Sequence, residues 1–200
     1  MKTLLLSLGL LVAAISLLPA QSRVSIAPTY WFNYNPYSYQ FAITGSPSTT
    51  RSQIDQHNLV SSFGLSVRCH FSPHWDVSTG ILYYKNTAYL AIFPGSTVPF
   101  TSEGWQLPLL MNYRLTKHRM SPYFSVGALF AKSKTFTEAP IRTDAVAGVG
   151  VDYRFNSSLS LLVQPTASYS LEQPVNTDGF QYSNYRSYSL GVQTQLIWHF

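Results

Sequence analysis

Apolar and polar residues alternate along the last stretch of this chain. Tyr188, Leu190, Val192, Thr194, Leu196, Trp198 and Phe200 fall in one phase, with Ser187, Ser189, Gly191, Gln193, Gln195, Ile197 and His199 in the other. A period of two belongs to a β-strand with one oily and one wet face. The pattern recurs where Phe63, Leu65, Val67, Cys69 and Phe71 alternate with Ser62, Gly64, Ser66, Arg68 and His70. It recurs again where Leu107, Leu109, Met111, Tyr113 and Leu115 alternate with Pro108, Leu110, Asn112 and Arg114. Further strands are expected over about Arg23–Asn33, Trp75–Tyr84, Pro122–Ser133, Thr143–Phe155 and Leu159–Leu171, which makes eight in all.

Glycines decide which face is inside. Gly64, Gly80, Gly127, Gly148, Gly150 and Gly191 all lie in the polar phase of their strands. Small residues belong there if that face lines a narrow barrel, in which eight strands leave room only for side chains. The oily face then points outward. The links after strands two, four and six ("SPHW", "TKHRMS", "NSS") are short, and the alternate links are longer, the first two markedly so. This is the order of periplasmic turns and external loops in a membrane barrel. Aromatics gather at strand ends, Tyr30, Phe32, Tyr83 and Trp105 toward one rim and Phe71, Trp75, Tyr113, Phe155, Trp198 and Phe200 toward the other, as interfacial girdles do. The expected fold is all-β: an eight-stranded antiparallel up-and-down transmembrane β-barrel with both termini periplasmic. A soluble, lipocalin-like barrel is the alternative, because alternation by itself does not say which face is inside.

Composition fits a surface that meets something other than water. Charged residues are 10% and aromatics 15% of the 200 residues, against about a quarter charged in ordinary soluble domains. Residues 1–20, "MKTLLLSLGLLVAAISLLPA", read as a cleaved secretory signal, with Lys2, an apolar run from Leu4 to Leu18 and the small Ala20. Residues 21–200 form the expected barrel domain, and no cysteine follows the signal to carry a lipid. Cys69 is the single cysteine, so no intramolecular disulfide is available.

The stretches "WQLPLLMNYRL", "SPYFSVGALFAKSKT", "AVAGVGVDYRFNSSLSLLVQPTASYSLE" and "YRSYSLGVQTQLIWHF" resemble, in order and spacing, the outer-membrane β-barrel domain family that includes PorT-like proteins. The resemblance covers most of residues 23–200 and rests on pattern, so it speaks to fold more than to function. It implies that Gly191, Leu196, Trp198 and the terminal Phe200 match the sorting signal read by the barrel-assembly machinery. It also implies, as an alternative function, an accessory part of a protein secretion assembly.

The formal net charge is +5, one unit of which leaves with Lys2. On the expected topology the external half is balanced and the excess lies at the periplasmic end. There Arg68, Asp76, Arg114, Asp152 and Arg154 occupy inward phases near strand ends. A charge turned toward lipid at mid-bilayer costs about 2–4 kcal/mol, so these groups are expected to turn inward and pair as a lumen charge network. An eight-stranded lumen filled in this way is a poor general pore.

Catalysis finds little support. "HFS" at His70–Ser72 is a superficial match to the His/Ser pair of outer-membrane lipid A deacylases, but it lies at the wrong end for an outer-leaflet substrate. His57 with Asp55 and Ser52 is possible only by proximity in sequence. His70, His74, His118 and His199 come from separate parts of the chain without metal-ligand spacing, so no metal or other cofactor is expected. The first two external loops carry Tyr37, Tyr39, Phe41, Tyr89, Phe93 and Phe100, which either pack in the headgroup layer or form a contact surface. The expected function is a structural or binding role in the outer membrane, a lipid-modifying enzyme being the remaining alternative. The expected partners are outer-membrane lipids and lipopolysaccharide, the barrel-assembly machinery during biogenesis, and a periplasmic or surface protein; no nucleic acid is expected.

Overall fold

In the computed structural model, residues 23–43, 52–93, 96–135, 140–171 and 180–200 are described, with side chains over 24–36, 57–89, 99–135, 140–171 and 187–200. Eight strands form the fold: β1 (Arg23–Ile43), β2 (Ser52–His70), β3 (Trp75–Phe93), β4 (Ser96–Arg114), β5 (Met120–Ser133), β6 (Arg142–Arg154), β7 (Leu159–Ser170) and β8 (Phe180–His199). Each pairs antiparallel with its neighbour in sequence, and β8 closes on β1 to complete a barrel. Closure leaves no free sheet edge through the body of the barrel, where each strand pairs on both sides.

Strand phase behaves as the alternation requires. Along β5, Ser121, Tyr123 and Ser125 are buried while Met120, Pro122, Phe124 and Val126 are exposed. The outward face is oily: Phe63, Leu65, Ile81 and Val126 are 59–62% exposed. The aromatics expected at the rims are exposed too, among them Tyr30, Phe32, Phe71, Trp75, Trp105 and Trp198.

The strands run further than the alternation indicates. β1 to β4 and β8 are 21, 19, 19, 19 and 20 residues long, against 14, 13 and 12 for β5 to β7. Most of the two stretches expected as long loops is paired backbone instead. Asn35 to Phe41 pair with Asn58 to Ser52, and Lys85 to Ala91 pair with Glu103 to Thr97. The link between β3 and β4 shrinks to 94–95, where a markedly long loop was expected. The barrel is therefore lopsided. At the rim that holds Arg23 and His199, the terminal rim, the links are short; at the far rim the long strands project past β5–β7.

The lumen is packed in layers. Beside buried polar groups sit the apolar Trp31, Leu82, Leu110, Leu129 and Val146 in one cluster, and Ala27, Leu162 and Ile197 with Tyr123 in another nearer the terminal rim. Val60, Tyr84 and Ala131 form a third toward the far rim. Hydrogen bonds stitch these layers across the barrel. Trp31 Nε1 donates to Thr166 Oγ1 at 2.9 Å, Ser62 to Gln106 at 2.8 Å, and Gln164 Nε2 to Ser125 at 2.7 Å.

Candidate functional site

The densest cluster of chemistry lies inside the terminal end of the barrel. Arg68 lies near the end of β2, Asp76 near the start of β3, Arg114 closes β4 and Asp152 nears the end of β6, all in the inward phase. Their side chains meet because eight strand ends converge on a lumen only a few side chains wide. All four are 2–4% exposed.

Arg68 and Asp76 are joined through Tyr123. Arg68 Nη1 donates to the Tyr123 hydroxyl at 2.6 Å, and that hydroxyl lies 3.2 and 3.1 Å from the two Asp76 oxygens. Arg68 Nη2 donates to Gln195 Oε1, and the guanidinium carbon sits 5.0 Å from the Tyr123 ring centroid. Asn112 Nδ2 donates to Asp76 Oδ1 at 2.7 Å and to Ser78 Oγ at 2.9 Å. Arg114 and Asp152 form a direct ion pair, Nε to Oδ2 at 3.1 Å, and Arg114 Nη2 caps the His118 carbonyl at 2.8 Å. Buried charges are stable only when paired and hydrogen-bonded in this way.

Arg154 is placed differently. It is half-buried, its Nε has no hydrogen-bond partner, and it lines a cavity of about 350 Å³ with His70, Phe71, Ser72, Pro73, Lys117, Ser157 and His199. Four of the five predicted network residues are thus engaged, and the fifth borders the vestibule below them.

Sequence reasoning missed the residues that connect the charges. Tyr123 is the bridge and Gln195 a further acceptor for Arg68, and the legible sign of Tyr123 was an aromatic ring in the same phase as Ser121 and Ser125. It also treated the histidines as separate, whereas the fold brings two together. Ser25 Oγ is 3.1 Å from His70 Nε2 and 2.9 Å from His199 Nδ1, and the two rings are 5.7 Å apart. His199 Nε2 reaches Ser160 Oγ at 2.8 Å.

With His70 Nδ1 3.8 Å from Asp76 Oδ2, the order Asp76, His70, Ser25 has the connectivity of a nucleophilic triad. The Ser25 hydroxyl, however, has no exposed surface and is shared between two imidazoles. A substrate carbonyl has no approach to it. Among the described residues, no three His, Cys, Asp or Glu side chains come close enough to hold a metal ion.

The other predicted residues lie away from this cluster. Gly191 lies in the β8 wall against Asn33 of β1, Leu196 is half-buried, and Trp198 and Phe200 are exposed, with the Phe200 N–H donating to the Val24 carbonyl at 3.3 Å. Tyr89 and Phe100 are exposed on β3 and β4, and Tyr89 stacks beside His57, which stacks in turn on Tyr34, at 5.5 and 5.6 Å. The side chains of Tyr37, Tyr39, Phe41 and Phe93 lie outside the described residues, as do those of Ser52 and Asp55.

The chain matches no family model and no curated protein sequence. Its fold does match solved structures. One is the outer membrane protein OprG from Pseudomonas aeruginosa, at a TM-score of 0.55 and 12% identity, over 90% of this chain and 96% of that one. Another is the outer membrane protein AlkL determined in lipid bilayers, at a TM-score of 0.52 and 12% identity, over 90% of each chain. At such identity the likeness is one of fold: a closed eight-stranded antiparallel barrel.

Proposed function

We propose that this chain is an integral outer-membrane β-barrel with a structural or binding role, its far rim outside the cell and its terminal rim in the periplasm. The observation that carries the reading is the inverted distribution of polarity. Arg68, Arg114, Asp76, Asp152, Gln164 and Gln193 are buried inside the barrel, while Phe63, Leu65, Ile81 and Val126 stand exposed outside it. A water-soluble barrel keeps its apolar residues within, whereas a lipid-facing wall requires them without. The short links 71–74, 115–119 and 155–158, all at one rim, support the orientation.

The packed lumen argues for a closed body rather than a channel, so binding falls to the rims and the outer wall. No catalytic step is assigned. On this reading the last residues of β8 serve the barrel-assembly machinery, and the partners are outer-membrane lipids together with a protein at one rim. The resemblance to PorT-like proteins supports a finer version, an accessory part of a secretion assembly, for which stable co-purifying partners are the test.

Heat-modifiability tests the main reading. Unboiled protein in detergent is expected to migrate apart from boiled protein, and trypsin on intact cells is expected to cut in the link between β1 and β2, which contains Arg51, while sparing Lys117 and Arg119. No mobility shift, together with solubility in the absence of detergent, would overturn it.

A further inference from the structure

The outer wall carries a feature distinct from the lumen cluster. Phe63, Tyr83 and Trp105 stand side by side across β2, β3 and β4, their rings 5.8 and 5.4 Å apart and edge to face. The next position across the sheet is Lys132 of β5, the register partner of Trp105. Ile81, Leu107 and Phe130, one step toward the terminal rim from this row, and Ile141, beside Lys132, line an apolar groove of about 640 Å³ together with Trp105 and Lys132. One outward step toward the far rim come Lys85 and Glu103, which are register partners, and then Lys134, whose N–H donates to the Glu103 carbonyl at 2.8 Å.

The positions of Lys85, Lys132 and Lys134 therefore neighbour that of Glu103 across β3–β5. Tyr83 donates its hydroxyl to Glu103, which binds part of that carboxylate's acceptor capacity locally. This group of three lysines and one glutamate stands in the outward phase of the wall. It lies on the face that also carries the groove.

An amphiphile that fits has an acyl chain below and more than one negative charge above. Aromatic residues of this kind mark the boundary between hydrocarbon and headgroup, and lysines just beyond it meet phosphate. We propose that the outer wall of β3–β5 is a docking site for lipid A: an acyl chain lies in the Ile81–Leu107–Phe130–Ile141 groove, and its phosphates meet Lys85, Lys132 and Lys134. The proposal rests on the orientation given above, since only the outer leaflet supplies this lipid.

The experiment uses the full barrel purified in detergent, with lipid A as the added ligand and phosphatidylglycerol as competitor, and bound lipid counted by native mass spectrometry. Wild type is expected to retain lipid A against the competitor. The variant K85Q/K132Q/K134Q is expected to lose on the order of tenfold or more in affinity, while K117Q/R119Q at the opposite rim keeps wild-type binding. Equal retention by all three proteins, or displacement of lipid A by an equal amount of phosphatidylglycerol, overturns the proposal. Orientation is read separately with Lys134→Cys in a Cys69→Ser background, labelled on intact cells by an impermeant maleimide. Labelling with loss of binding in K85Q/K132Q/K134Q supports the site; absence of labelling, with Ser157→Cys labelled instead, overturns the orientation and the docking site with it.

Discussion

At the scale of single residues, the inward phase carries two kinds of constraint. Gly64 is one: a Cβ built there would lie 2.1 Å from the Ile81 carbonyl oxygen and 2.8 Å from the Leu82 Cα, both backbone atoms of the neighbouring strand. At Gly148 the nearest atoms are the ends of the Gln164 and Ser125 side chains, at 2.6 and 2.7 Å. Backbone cannot turn aside, whereas an amide and a hydroxyl can. Gly64→Ala is therefore expected to cost about 1–3 kcal/mol of stability and Gly148→Ala distinctly less, read from urea unfolding of the barrel in detergent. Equal costs at the two positions would refute the backbone argument. Tyr123 is the second kind. Its hydroxyl links the buried Arg68 and Asp76, so Tyr123→Phe leaves both short of a partner and is expected to cost about 1–3 kcal/mol. An unchanged unfolding midpoint would mean that the two charges find each other without it. Alternation predicted which residues face inward, including Arg68 and Asp152, because a strand has only two phases. It could not name Tyr123 as the bridge, because which inward residues touch depends on shear and tilt, which one strand read alone does not contain.

Among elements, what the sequence made legible ends where the surroundings stop differing between the two faces of a strand. β8 was readable because Leu190 to Phe200 alternate with Gly191 to His199. Beyond Asn33, β1 reads "YNPYSYQ", with polar residues in both phases and a proline at 36, yet it stays paired with β2 to Phe41. A strand that has passed beyond the bilayer no longer needs an oily side, so hydrogen bonding continues without the periodic signal. A transmembrane strand needs only about 9–11 residues, and the 19 residues each of β3 and β4 exceed that by a wide margin. The outer half of this hairpin should then be dispensable for folding. Replacing residues 89–99 by Asn-Gly puts a two-residue turn beyond the paired Ala88 and Phe100. The shortened protein is expected to keep its heat-modifiable mobility. Its failure to refold would show that the projecting strands hold the barrel closed.

For the whole molecule, the question is whether the closed wall encloses a path. Two barriers in series say that it does not. Trp31, Leu82, Leu110, Leu129 and Val146 cross the lumen as an apolar layer, with the Trp31 indole tied to Thr166. Nearer the terminal rim, the hydrogen-bonded Arg68, Tyr123 and Asp76 and the ion pair of Arg114 with Asp152 form a second, charged layer. Leu110 and Ile197 already stood in the polar phase of their strands, the sign that this interior is a core and not a water column. An ion would have to displace packed side chains in the first layer and break buried charge pairs in the second. The protein reconstituted in a planar bilayer is therefore expected to give no steady conductance. Trp31→Ala removes much of the first layer and leaves the second, so it too is expected to stay silent. Opening should require both layers to be cut, as in Trp31→Ala combined with Arg68→Ala and Tyr123→Ala. Steady single-channel currents from the unaltered protein would show that these layers part in the membrane, and transport through the lumen would then replace binding at the rims and wall as the reading of this barrel.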